Sequence, residues 1–351
     1  MFDELLASNL SAPICITWEV TGVCNLRCRH CLSSAGERVN GELSLKEAKE
    51  LIDELAEMQV FYVNVGGGEP FCRPDLFDII AHAVRRDLPL QISTNGTLID
   101  PELVGRLSDL PYLYLQVSLD GATRRVNDAI RGAGSYDLAL RGMRLLAHEG
   151  LEFIINCVVT RENFDELPAL YILAGTLGAT LRVSRLRPTG RGEGAWTSLH
   201  PSRSQYVRLH AWLREHPDVL TGDSFFFLSA VGEPVKGLGM CGAGRLTCGI
   251  TPEGDVFPCS FLIGEHFFAG NVRETPFARI WRESEVFQEL RRLSAVGCHE
   301  CDDPTQCRGG CLAAKYSYHG SLNARDPECV LPLRTEESAD CYESEYSLGT
   351  A

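Results

Sequence analysis

Short runs of β-branched and aromatic residues alternate along the first half of this chain with longer stretches in which apolar residues return every three or four positions. The first pattern suits strands buried in a sheet and the second suits helices packed on one face. Their alternation predicts repeated strand–helix units around a parallel sheet. Six strands are expected: Ile14 to Val20, Phe61 to Val65, Leu90 to Thr94, Leu113 to Leu119, Phe153 to Thr160 and Thr180 to Arg185. Ser44 stands as a helix cap ahead of LKEAKELIDELAEM, in which Leu45, Ala48, Leu51, Ile52 and Leu55 fall at helical spacing. Pro74 precedes a second helix running through Phe77 and Ile80.

In barrel-type α/β folds the loops after the strands build the active site, so those loops are where chemistry is sought. The first carries Cys24, Cys28 and Cys31 as C-x3-C-x2-C; the next three carry GGGEP (Gly66 to Pro70), STNG (Ser93 to Gly96) and SLDG (Ser118 to Gly121). Iron–sulfur cubes are ordinarily held by four thiolates, so three leave one iron open, and an open position on a metal centre serves substrate or cofactor. A structural zinc site is the alternative, although zinc loops usually pair C-x2-C with a second Cys or His pair nearby. The glycine run is either a turn or a place where backbone approaches a ligand. Glu69 behind it could accept hydrogen bonds from a cationic amine. Asp120 reads as a helix cap.

Composition narrows the field. The chain has 351 residues, too many for one ordinary domain. Its net charge of −14 disfavours nonspecific nucleic-acid binding, which needs dense Lys and Arg. LRVSRLRPTGRG, from Leu181 to Gly192, is the basic exception, either a solvated loop or an anion contact; Arg185, Arg187 and Arg191 are its candidates. Fifteen cysteines, without a basic, long apolar leader at the start, suggest a reducing cytoplasm rather than a disulfide scaffold. No stretch approaches the roughly twenty apolar residues that span a bilayer, and no histidine pair has metalloprotease spacing.

A second cysteine cluster contains Cys241, Cys248 and Cys259, then Cys298, Cys301, Cys307 and Cys311 as C-x2-C-x5-C-x3-C, then Cys329. Eight thiols satisfy two four-iron cubes or two zinc ions, and by spacing alone Cys298 to Cys311 could hold one centre among themselves. Outside these sets, Cys15 and Cys157 read as small buried strand residues, Cys72 lies near the expected active site, and Cys341 falls in a polar tail.

The three-cysteine loop with GGEP at Gly67 to Pro70 resembles radical S-adenosylmethionine (SAM) enzymes. The second cluster, with Gly254 before Cys259 and the isolated Cys329, resembles the SPASM extension of radical SAM peptide maturases. The resemblance implies an α/β fold: a partial (β/α)6 TIM-like barrel with a C-terminal cysteine-rich SPASM domain holding auxiliary iron–sulfur clusters. The expected division is a tail over 1–13, the barrel over 14–195, a bridge over 196–239, the SPASM domain over 240–333 and a tail over 334–351. It also implies that Gly67, Gly68, Glu69, Ser93, Asn95, Ser118, Arg131 and His30 contact SAM, Ser118 and Arg131 being candidates for its ribose and carboxylate. Cys24, Cys28 and Cys31 would hold the SAM-binding [4Fe-4S] cluster. Cys241, Cys248, Cys259 and Cys311 would hold one auxiliary [4Fe-4S] cluster, and Cys298, Cys301, Cys307 and Cys329 the other.

Within that family the segments APICITWEVTGVCNLRCRHCLSSAG, ELIDELAEMQVFYVNVGGGEP, LTGDSFFFLS and MCGAGRLTCGITPEGDVFPC are most similar to mycofactocin maturases. That resemblance implies a precursor peptide with C-terminal Val-Tyr, oxidative decarboxylation of the tyrosine and a Val-Tyr carbon–carbon cross-link. Residues before Ile14 are too few for a fused recognition domain, so the expected partners are a separate small peptide-binding chaperone and an electron donor such as flavodoxin or ferredoxin. The rival expectations are maturation of a different peptide or protein and, in another class, a non-catalytic iron–sulfur electron carrier.

Overall fold

The computed structural model describes residues 10–221, 225–231, 241–293, 307 and 309–330. All six predicted strands form: β1 (Cys15–Thr21), β2 (Tyr62–Gly67), β3 (Leu90–Thr94), β4 (Leu113–Ser118), β5 (Phe153–Val159) and β6 (Thr180–Arg185), with no end displaced by more than two residues. Neighbours pair in parallel in sequence order, and among the described residues the outer side of β6 makes only an isolated bridge from Arg182 to Leu220. The six strands therefore curve into a barrel wall that stays open.

Each strand alternates, and the alternation divides the wall into two faces. Ile16, Trp18, Val63, Val65, Ile92, Leu115, Val117, Ile155, Leu181 and Val183 belong to one continuous apolar core. Helix α1 (Leu45–Glu57) packs there through Ala48, Leu51, Ile52 and Leu55, and α2 (Leu76–Arg85) through Leu76, Ile79, Ile80 and Ala83. Burying each such leucine or isoleucine contributes about 1.5–3 kcal/mol. Ser44 does cap α1: its hydroxyl accepts from the Glu47 amide while the Glu47 carboxylate accepts from the Ser44 amide at 2.7 Å. The other face is polar. Thr17, Glu19, Asn64, Ser93, Gln116, Ser118, Asn156, Arg182 and Ser184 point to the barrel interior and line a cavity.

The sheet does not stop at six strands. β7 (Thr247–Ile250), from the second cysteine cluster, pairs in parallel with the free edge of β1, Thr17 opposite Gly249. β8 (Asp255–Phe257) and β9 (Gly270–Asn271) follow in antiparallel fashion, giving a nine-stranded sheet. The cysteine-rich segment is thus continuous with the barrel sheet, and a helix (Arg191–Leu199) runs across residue 195, where the barrel was expected to end. Among the described residues no helix is long and apolar enough to cross a membrane.

Candidate active site

Cys24, Cys28 and Cys31 line a cavity of about 270 Å³ at the carboxyl ends of the barrel strands. Gly67, Gly68, Ser93, Asn95, Ser118, Arg131 and His30 line it too, so seven of the eight expected cofactor residues converge. Glu69 does not. It is fully buried behind the wall, where its carboxylate accepts from the Asn95 amide at 2.7 Å, the Thr94 hydroxyl at 2.7 Å and the Phe71 amide at 3.3 Å. Burial lifts this carboxyl to about 7 despite those bonds. These three bonds shape the loop after β3.

The glycine run has a packing reason of its own. Gly67 has φ +101°, and a Cβ there would stand 2.7 Å from the Thr21 carbonyl; one at Gly68 would stand 2.0 Å from the Val23 carbonyl. The end of β2 and the start of the cysteine loop therefore lie backbone against backbone, joined by the Gly68 amide donating to Thr21 and the Glu69 amide to Val23.

Asp120 is not a helix cap. Thr123 caps α3 (Arg124–Arg131), while the Asp120 carboxylate pairs with His30 at 2.9 Å and Arg131 at 2.6 Å and accepts from the Val158 amide at 2.8 Å. Burial alone would raise its pKa, but Arg131 and His30 outweigh it and hold the carboxyl at about 2. This buried triad ties the cysteine loop, through His30, to the ends of β4 and α3. The Arg29 amide adds a bond to the Ile130 carbonyl at 2.9 Å.

The three candidate arginines of the basic segment part company. Arg185 is buried in a bidentate pair with Asp326, at 2.9 and 2.7 Å, and also meets Glu328. Arg191 donates to the carbonyls of Cys28 at 2.9 Å and Ala35 at 2.8 Å, fastening the cysteine loop. Neither is a solvated loop residue: Arg185 makes its anion contact with carboxylates of the protein itself, and Arg191 bonds backbone carbonyls. Arg187 lines the cavity, its guanidinium 4.8 Å from the centre of the Phe261 ring.

A second cysteine site abuts the first. Cys241, Cys259 and Cys311 line a cavity of about 240 Å³ together with Thr17, Asn64, Arg182 and Arg187, which also face the first cavity. Cys241 and Cys311 share a hydrogen bond that holds Cys311 well below the usual thiol range and Cys241 well above it. Burial pushes Cys259 up to about 12. Cys248 is buried on β7, with Cys15 and then Arg291 and Cys259 as its charged neighbours. Cys15, expected to be a plain strand residue, lines the second cavity. Cys157 is buried, as a small apolar residue would be, and accepts from Asn163 at 3.4 Å. Cys307 packs in the same apolar cluster as Cys311, and Cys329 is buried beside Arg325, whose guanidinium donates to its sulfur at 3.0 Å. Cys72 is half-buried and lines neither cavity. Cys298, Cys301 and Cys341 lie outside the described residues.

The radical SAM superfamily model matches residues 18–174, and an iron–sulfur cluster-binding SPASM domain matches residues 241–311. This chain belongs to the radical SAM family and carries its SPASM extension. It is 49% identical over 333 residues to the mycofactocin maturase MftC of Mycobacterium tuberculosis (strain CDC 1551 / Oshkosh), covering 93% of this chain and 85% of that protein. It is 34% identical over 349 residues to the AdoMet-dependent heme synthase of Methanosarcina barkeri (strain Fusaro / DSM 804), covering 91% and 97%. Its fold is that of Streptococcus suis SuiB, seen in a crystal structure bound to precursor peptide SuiA, with TM-score 0.77, 18% identity and coverage of 93% and 77%.

A radical SAM protein uses SAM and a [4Fe-4S] cluster, and the residues present fit both. Three thiols converge on a cavity whose remaining wall is backbone glycine, hydroxyl, amide and guanidinium, so an iron lacking a fourth protein ligand would face donors suited to an amino-acid cofactor. Burial first, then Asp120 and the other thiols, push Cys28 up to about 11 despite Arg131, so loading the cluster must release protons. Sequence reasoning missed the inward polar ladder of Thr17, Asn64, Gln116, Asn156, Arg182 and Ser184. These bond sideways across the strands, Arg182 to Gln116 at 3.0 Å, Gln116 to Ser93 at 3.1 Å and Ser184 to Asn156 at 2.7 Å. The available signal was one polar residue at every second position of otherwise apolar strands.

Proposed function

We propose that this protein is a peptide maturase of the mycofactocin type, which decarboxylates a C-terminal tyrosine oxidatively and joins it to the preceding valine through carbon. The observation that carries the reading is the shared wall: the three-cysteine cavity and the Cys241–Cys259–Cys311 cavity both meet Thr17, Asn64, Arg182, Arg187, Ser260 and Phe261. Oxidative decarboxylation removes electrons from the substrate, and an acceptor must lie close to the carbon that loses them. The 49% identity to MftC, running through both cysteine segments, supports the same reading.

When bound, SAM and its cluster supply a carbon-centred radical that takes a hydrogen atom from the substrate. The protein's own residues do the positioning. Asp120 holds His30 and Arg131 against the cofactor cavity, Gly67 and Gly68 bring backbone to its edge, and Arg187 offers a cation at the shared wall. Cys24, Cys28 and Cys31 would hold the SAM cluster. Cys241, Cys248, Cys259 and Cys311 would hold one auxiliary cluster, and Cys298, Cys301, Cys307 and Cys329 the second, making three [4Fe-4S] clusters. A small chaperone presents the precursor peptide, and a flavodoxin or ferredoxin supplies electrons.

The test is anaerobic turnover with SAM, reductant, chaperone and a peptide ending in Val-Tyr, followed by mass spectrometry. A mass loss matching decarboxylation is expected, with 5′-deoxyadenosine formed alongside. Formation of 5′-deoxyadenosine with the peptide unchanged would assign the enzyme to another substrate, and no 5′-deoxyadenosine at all would favour an electron carrier.

A further inference from the structure

Glu19, on β1, is only 7% exposed, yet among the described residues its carboxyl has no hydrogen-bond partner. The Ser260 hydroxyl is buried and likewise without a partner there. Buried polar groups are normally satisfied; the Ser260 hydroxyl is buried without a partner and Glu19 opens onto the same space, so this wall is suited to receive a polar group from outside.

Their placement says what. Glu19 lies opposite Gly66, at the glycine-rich end of β2. Two positions earlier on the same face, Thr17 lies opposite Gly249, and a Cβ on Gly249 would stand 3.1 Å from the Ser260 hydroxyl. A third, outer cavity of about 560 Å³ opens between the cysteine loop, the Pro188–Gly190 turn and the β7–β8 turn. Glu19 lines both the outer and the inner cavity, and Ser260 and Phe261 line all three.

Charge gives the passage a direction. The charged residues of the outer cavity are Glu19, Glu193 and Glu253, whereas the inner cavity carries Arg182, Arg187 and Arg191 against Glu19, besides Arg131 and Arg185, whose charges Asp120, Asp326 and Glu328 offset. A chain end bearing a carboxylate is disfavoured in the first and favoured in the second. A peptide entering such a space must also find partners for its own amides.

Resting on the maturase reading above, we infer that Glu19 and Ser260 are substrate contacts. The precursor peptide threads carboxylate-first from the acidic outer cavity into the cationic inner one, and the two side chains hydrogen-bond its last residues where the three cavities meet. Burial, with Glu253 adding to it, holds the Glu19 carboxyl at about 7, so in the peptide-free protein this group is kept at some expense to stability. That is the signature of a residue retained for binding rather than for folding.

The experiment is calorimetric titration of the cluster-loaded enzyme with a synthetic peptide ending in Val-Tyr, in the presence of its chaperone, and separately with SAM. For Glu19→Leu the peptide dissociation constant should rise about tenfold, as loss of one charge-assisted hydrogen bond implies. The SAM dissociation constant should stay within about twofold, since a selective peptide contact leaves the cofactor's own bonds intact. Ser260→Ala should show the same split, about fivefold for the peptide, a neutral bond being the weaker, and it carries the test should Glu19→Leu fail to load iron. Unchanged peptide affinity in both variants overturns the inference, as does SAM affinity falling in step with peptide affinity. Wild-type enzyme that binds no Val-Tyr peptide sinks the substrate reading itself, and this inference with it.

Discussion

Asp120 shows how one side chain organises this site. Its carboxylate is fully buried, and it is stable there only because Arg131 and His30 face it. Removing one partner from a buried pair typically costs about 3–5 kcal/mol, since the other charge is left stranded. Asp120→Asn should therefore lower the unfolding free energy by roughly that amount and weaken SAM binding at least about tenfold; denaturant unfolding and calorimetry measure the two. The pH dependence has a definite sign. A carboxyl at about 2 in the fold against 3.8 unfolded contributes stability above pH 4 and loses it as pH falls towards 2. The gap between wild type and Asp120→Asn should close over that acid window. Glu69 carries the opposite shift and, bonded to Thr94, Asn95 and Phe71, supports the loop after β3.

Among the elements, the end of β2 is the least tolerant. The carbonyls of Thr21 and Val23 crowd Gly67 and Gly68 directly, so no flexible side chain can yield to an added methyl group. Gly68→Ala should displace the first turn of the cysteine loop and destabilise by about 3 kcal/mol or more. Iron should be lost from the amino-terminal site while the auxiliary site keeps its own, as metal analysis and electron paramagnetic resonance would read. Gly105, in the middle of the helix Pro101–Ser108 with open space around its Cα, makes the contrast. Gly105→Ala should stabilise by about 0.5–1 kcal/mol. The same substitution thus takes opposite signs according to what stands around the backbone.

The whole molecule behaves as one sheet with two cysteine sites on its walls. β7 covers the edge of β1, and the buried group of Arg185, Asp326, Glu328, His200 and Tyr206 ties the segment carrying Cys329 to the end of β6. Asp326 also accepts from the Cys311 amide at 2.8 Å, so this network fixes Cys311 and a barrel strand together. A chain ended before Cys241 would bare the β1 edge, an unpaired row of backbone groups prone to association. Such a truncation should aggregate or sediment as oligomers in velocity ultracentrifugation. The full protein should lose barrel and SPASM signals in a single thermal transition.

The amino-acid sequence anticipated the six strands, the Ser44 cap, and ten of the residues that line the inner cavity, its three cysteines with Gly67, Gly68, Ser93, Asn95, Ser118, Arg131 and His30. The strands and the cap follow from local periodicity and capping chemistry, and the cavity residues from the resemblance to radical SAM enzymes; none of these needs knowledge of distant contacts. Only the tertiary structure decided that Asp120 is the anion of a buried triad, that Arg185 and Arg191 bond protein groups, and that Cys15 faces the auxiliary cysteines. It also decided that β7 completes the sheet and that Glu19 and Ser260 stand unpartnered where three cavities meet. Those are relations between residues up to hundreds of positions apart. A carboxylate, an arginine or a serine reads alike in sequence whether its partner is a neighbouring chain segment, solvent or a substrate, and folding alone brings that partner into place.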